Sequence, residues 1–249
     1  MDELILDILK QLRDGPQGAL DTHQLEMLIN SHNSGIDSSA HSTEREKLIP
    51  KRAILPYFLQ VKQNNDELWQ SWNVTPELEE RFIRSVRMKP RRTASGVATI
   101  TVITRPHTCS SNCIYCPCDL RMPKSYLANE PACQRAELTF FDPYVQVAAR
   151  LQALHQMGHS TDKVELIVLG GTWSDYPESY QYWFIKELFR ALNEWPNSPS
   201  HIQERLNWYT SFGLQNSEEA LSSFVAEQQA AVFDDTATYN QAFHKLYDT

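Results

Sequence analysis

The chain has 249 residues, 41% hydrophobic and 22% charged, with a net charge of -8 and a pI of about 5.5. That length can bury a sizeable core as one large domain or two small ones. No stretch approaches the roughly 20 apolar residues of a membrane helix, and the acidic head MDELILD argues against a signal peptide, so a cytoplasmic protein with no membrane partner is expected.

Apolar residues at Leu4, Ile5, Ile8, Leu9 and Leu12 predict a helix over 2–14, ended by Gly15-Pro16. A second short helix is expected over 20–30. The polar, aperiodic segment 33–42 reads as a linker after an N-terminal helical segment, 1–32. Residues 43–95 form a helical, basic region, with Trp69 and Trp72 as core or interface anchors. Within it a helix starts at Pro76, with Thr75 as its N-cap, and reaches about Val86. Arg84, Arg87, Lys89, Arg91 and Arg92 then crowd one short stretch. Although an acidic chain argues against nucleic acid overall, such a strip can bind phosphates; a solvated surface patch is the plainer reading.

Residues 97–105 are rich in β-branched side chains and predict a buried strand. A helix follows over 142–158, with Asp142 as N-cap and Gly158 at its end. A second buried strand is expected over 163–171, then a helix from Glu178 stopped by Pro196. Strand, loop, helix, strand, helix is the order of parallel α/β folds. Residues 200–249 carry only helical patterns, one marked by Leu221, Phe224 and Val225, another by Tyr239, Phe243 and Leu246. The expected fold class is α/β, with an incomplete parallel α/β region over 96–249 preceded by a helical region.

Of five cysteines, four lie between 109 and 118. Cys109, Cys113 and Cys116 form C-x3-C-x2-C directly after the first strand. Three thiolates on a 4Fe–4S cluster leave one iron open to chelate S-adenosylmethionine (SAM). A structural zinc site is the alternative, but zinc favours two C-x2-C pairs or added histidines, and no second pair exists. Cys118 is a possible fourth ligand, and Cys133 stands apart. Gly170, Gly171 and Thr172 close the second strand, where backbone amides can meet the amino or carboxylate end of SAM; a plain turn is the alternative.

Four stretches carry a family resemblance. They are SVRMKPRRTASGVATITVITRP (85–106), CIYCPCDLRMPKSYLANEP (113–131), RAELTFFDPYVQ (135–146) and GHSTDKVELIVLGGTWSDYPESYQYWFIKELFRALN (158–193). Together they resemble the catalytic subunit of Elongator and its single-chain bacterial relatives, over roughly residues 50–195. The resemblance implies that 96–249 is the N-terminal part of a radical SAM partial (β/α) barrel, truncated, and that the enzyme is a radical SAM enzyme that uses acetyl-CoA to place a carboxymethyl group on carbon 5 of the wobble uridine of tRNA. It implies Cys109, Cys113 and Cys116 as cluster ligands, and Lys163 as an acetyl-CoA contact where position alone suggests a solvent-facing charge. It places tRNA phosphates on Arg84, Arg87, Lys89, Arg91 and Arg92. Lys124 lies near the cluster, facing either the active cavity or solvent. An electron donor is implied as a partner. Cys118 stands where the family carries another residue. The family continues into further barrel strands and an acetyltransferase-like domain, so the chain alone is expected to be inactive or weak, with a partner chain as a possible source of the missing half. A non-catalytic tRNA-binding fragment with a structural metal site is the competing expectation.

Overall fold

The computed structural model describes residues 1–34, 48–111, 113–117, 119–214, 217, 223 and 239–247. The expected linker lies outside these from residue 35 on, as do Cys118, Leu221, Phe224 and Val225. The chain divides into two compact units: 1–98 with 153–163, and 99–152 with 164–249.

The first unit is helical. Helix α1 (Asp2–Asp14) buries Leu4, Ile5, Ile8, Leu9 and Leu12, the stripe set by its 3.6-residue period. Asp2 and Glu3 occupy its first turn, where carboxylates complement the helix dipole. Helix α2 (Thr22–Asn33) opens with a capping box between Asp21 and Gln24. Helices α3 (Lys51–Asn64), α4 (Asp66–Ser71) and α5 (Pro76–Val86) follow. Thr75 Oγ1 accepts the Leu78 N–H at 3.3 Å, and Pro76 sits in the first turn where its missing N–H is harmless. All five helices share one core centred on Phe58, Phe82 and Trp72. Phe58 stacks on Phe82 with centroids 4.1 Å apart, and Trp69 meets it edge-on at 5.0 Å. Arg81 ties the α1–α2 loop to α5 by donating to Pro16 O at 2.9 Å and Gly18 O at 2.8 Å.

The second unit holds the sheet. Strand β1 (Ala98–Ile103) starts at the unit boundary and pairs with β2 (Val164–Leu169). Ala98 N–H donates to Lys163 O and Thr104 N–H to Leu169 O, both at 2.9 Å, so the strands advance together and are parallel. Between them run the cysteine loop, α6 (Pro131–Leu138) and α7 (Pro143–Gln156). Asp142 caps α7 as its sequence predicts, accepting the Val145 N–H at 2.9 Å. Gly158, at φ +83°, takes the left-handed conformation just past the helix end. Helices α8 (Glu178–Asn193), α9 (Ile202–Ser211) and α10 (Tyr239–Tyr247) complete the described elements.

The fold is therefore mixed α/β, mostly helical, with one two-stranded parallel sheet among the described residues. These two strands are all that the structure gives of the expected barrel. The expectation that β2 is buried is also corrected: Glu165, Ile167 and Val168 are exposed. An apolar run predicts burial on both faces only when neighbours exist; among the described residues β2 has a strand on one side alone. In β1, by contrast, Ala98, Ile100, Val102 and Ile103 are all buried.

Candidate functional site

The cysteine loop leaves the C-terminal end of β1, the end at which parallel α/β folds gather functional loops. Thr104 and Arg105 begin it. Thr104 Oγ1 lies 2.7 Å from Tyr176 Oη, which in turn donates to Arg105 O at 2.8 Å. Tyr180 Oη accepts the Arg105 N–H at 3.1 Å. Burial pushes the phenols of Tyr176 and Tyr180 above the ordinary range, so both remain neutral hydrogen-bonding groups. This network fixes the start of the loop to the segment after β2.

Cys109 is buried, 6% exposed. Its thiol lies 3.3 Å from Thr172 Oγ1, and its backbone is held on both sides by Asn240. The next residue, Ser110, donates its N–H to Asp175 Oδ2 at 2.6 Å, which holds the Asp175 carboxyl below the usual range. His107 Nε2 lies 3.0 Å from Asp175 O; burial draws the His107 imidazole down. Cys116 Sγ lies 3.0 Å from Ser125 Oγ, and Cys116 N–H donates to Cys113 O at 3.2 Å. Cys113, Ile114 and Tyr115 are exposed at the tip. Among the described residues no group of three or more His, Cys, Asp or Glu side chains is placed to hold a metal ion. The donor set nevertheless suits an iron–sulfur cluster: Cys109, Cys113 and Cys116 lie on one short loop, and none of these three is in a disulfide. Cys133 is buried among Ile103, Met122 and Ala136. Burial pushes its thiol up to about 11, which makes it inert at neutral pH.

Gly170, Gly171 and Thr172 follow β2 in the same unit as the loop. The two glycines border a cavity of about 260 Å³ that is also lined by Thr104, Tyr126 and Trp173. A methyl group on Gly170 would stand 1.9 Å from Thr104 Oγ1, so only glycine fits there. Gly170→Ala is expected to cost about 1–3 kcal/mol by overpacking, read from denaturant unfolding. Thr104→Ala in the same chain should return part of that loss, and strictly additive effects would refute the contact. Lys124 is buried, with Nζ 4.8 Å from the Tyr239 ring centroid, which rules out the expectation of a solvent-facing lysine.

The other predicted site residues belong to the first unit. Lys163 is exposed, and its carbonyl pairs with Ala98. Arg84 is paired with Glu80 at 2.5 Å, both exposed. Lys89, Arg91 and Arg92 are exposed on a 3-10 turn over Pro90–Thr93, which Lys89 enters at φ 50°. Arg87 is half-buried. Asn240, Asp175 and Ser125 were not anticipated. Asp175 stands inside the GGTWSDYPES stretch, but nothing local to Asn240 signals a partner 131 residues away.

The fold and the loop define an α/β protein with a cysteine loop at the C-terminal end of a parallel strand. No family model matches the chain. Curated relatives do. A tRNA uridine(34) acetyltransferase of Dehalococcoides mccartyi is 48% identical over 105 residues, covering 42% of this chain and 23% of that protein. A tRNA uridine(34) acetyltransferase of Methanocaldococcus infernus is 41% identical over 139 residues, 53% of this chain and 26% of that protein. Elongator complex protein 3 of Bos taurus is 33% identical over 180 residues, 68% of this chain and 31% of that protein. The resemblance read from the motifs is thus shown as homology, and the matched part of this chain spans 23–31% of the length of these relatives.

Proposed function

We propose that this chain is part of a tRNA-modifying transferase acting on the wobble uridine, with SAM-dependent iron–sulfur chemistry at the 109–116 loop. The observation that carries this reading is the homology to proteins named tRNA uridine(34) acetyltransferase, at 48% and 41% identity. Cys109, Cys113 and Cys116 would hold a 4Fe–4S cluster. When bound, such a cluster would supply one-electron reduction of SAM, with its electron coming from an external donor. Gly170, Gly171 and Thr172 would offer close backbone approach to the cofactor beside Cys109, whose thiol already neighbours Thr172. Lys163 would meet a phosphate of acetyl-CoA as a point charge. The finer product, a carboxymethyl group on carbon 5, follows the family resemblance.

On the first unit, Lys89, Arg91 and Arg92 would contact tRNA phosphates. Replacing all three by alanine is expected to weaken tRNA binding at every sequence tested. The slope of log affinity against log salt should fall by about two to three, one counterion per lost contact. An unchanged slope would remove the strip from the interface.

The decisive experiment is anaerobic reconstitution of the full chain. Iron and sulfide are counted, and electron paramagnetic resonance is recorded after reduction, with and without SAM. A 4Fe–4S signal that shifts with SAM and vanishes in Cys113→Ala is expected. Tightly bound zinc, or no iron, would favour the second reading, a non-catalytic tRNA-binding fragment. That reading draws on the dispersed thiols, of which Cys109 is buried and Cys113 exposed.

A further inference from the structure

We infer that Asn240 is a positioning residue that clamps Cys109 and keeps its thiol closed to solvent, making it the guarded member of the three loop cysteines. The clamp is a two-point pairing. The Asn240 carboxamide accepts the Cys109 N–H at 3.1 Å and donates to Cys109 O at 2.7 Å. A carboxamide presents acceptor and donor side by side, so it serves a loop residue much as a neighbouring strand would. Helix α10, which carries Asn240, is seated over the loop by separate contacts. Tyr239 Oη donates to Met122 O at 3.0 Å. Tyr239, Ala242 and Phe243 bury against Leu120, and the Phe243 ring stands edge-on to His107 at 6.1 Å. Thr172 Oγ1 also approaches the Cys109 sulfur, to 3.3 Å. Cys109 is buried as a result, whereas Cys116 is intermediate and Cys113 exposed. The bearing of this clamp on a bound cluster rests on the function proposed above; the clamp itself does not.

The test uses the reduced, metal-free, full chain treated with N-ethylmaleimide, with peptide mass spectrometry giving a rate for each cysteine. Cys109 should react about tenfold more slowly than Cys113, as expected of a group that reacts only through local opening. Asn240→Ala should raise the Cys109 rate several-fold and leave Cys113 unchanged. Cys133 should stay protected, which certifies that the unit is folded. Phe243→Ala, which unseats the helix without touching the amide, should act in the same direction. Lys245→Ala, at an exposed position of the same helix, should leave the Cys109 rate unaltered. The clamp is overturned if Cys109 reacts as fast as Cys113 in the native chain, or if Asn240→Ala leaves its rate unchanged. In reconstituted protein, Asn240→Ala should lose iron to a chelator several-fold faster than the native chain. A native chain that takes up no iron would defeat the proposed function, while the maleimide rates still decide the clamp.

Discussion

Arg205→Ala is expected to unfold the second unit at a clearly lower denaturant concentration, with a loss of about 3–5 kcal/mol. Arg205, on α9, donates to both carboxylate oxygens of Asp142, at 3.3 and 3.1 Å, and also to Glu187. Asp142 and Glu187 are buried, 2% and 3% exposed. One guanidinium therefore compensates two carboxylates taken out of water. The cation also sits 4.0 Å from the Tyr144 ring centroid, so its planar head is used for an aromatic contact as well as for the ion pairs. Truncation leaves the two charges with less support than they need. Asp142 keeps the Val145 N–H and the Tyr209 hydroxyl, at 2.9 and 2.8 Å. Glu187 keeps only the longer approaches of Lys186 and Arg190, both at 3.7 Å. Arg205→Met with Glu187→Met should recover part of the loss, because it removes a stranded charge rather than creating one. A loss below about 1 kcal/mol for Arg205→Ala, the value of an ordinary exposed ion pair, would refute the network's weight.

Phe58→Ala should destabilise the first unit by about 3–5 kcal/mol, the range for deleting a fully buried aromatic side chain. Phe58 is completely buried and is the shared partner of three rings. It stacks on Phe82 and on Trp72, with centroids 4.1 and 5.9 Å away, and meets Trp69 edge-on. Its loss removes transfer energy and opens a cavity between helices that pack by these rings. Because Trp69 and Trp72 border the gap, their fluorescence should shift to longer wavelength in the folded variant. Trp69→Ala, at a partly buried position, should cost less. Equal losses for Phe58→Ala and Trp69→Ala would show that the ring cluster has no centre at Phe58.

The helices were legible where period and punctuation agreed. Leu4, Ile5, Ile8, Leu9 and Leu12 all point inward, and Thr75 and Asp142 cap where their neighbours said they would. Strand burial was half legible: VELIVL has the composition of a buried strand, yet composition cannot tell whether a neighbouring strand is present to cover it. The C-x3-C-x2-C spacing of Cys109, Cys113 and Cys116 was open to view in the sequence. Their unequal access was not, since it depends on Asn240 and Thr172, residues joined to Cys109 only through the fold. The Arg205 network was invisible for the same reason: Asp142 reads as a helix cap, and nothing local joins it to Glu187 or Arg205. Lys124, too, reads as a loop lysine until the Tyr239 ring is placed beside it.

Gln146 gives β1 an unusual last residue. From helix α7 its amide both accepts the Ile103 N–H, at 2.8 Å, and donates to Ile103 O, at 2.9 Å, in a buried setting. The last peptide of the strand is thus sealed by a helix side chain and not by the sheet. Deuterium entering at the Ile103 amide would therefore report when α7 lifts away, not when the two strands part. The same seal leaves no main-chain group of Ile103 for an incoming strand to read.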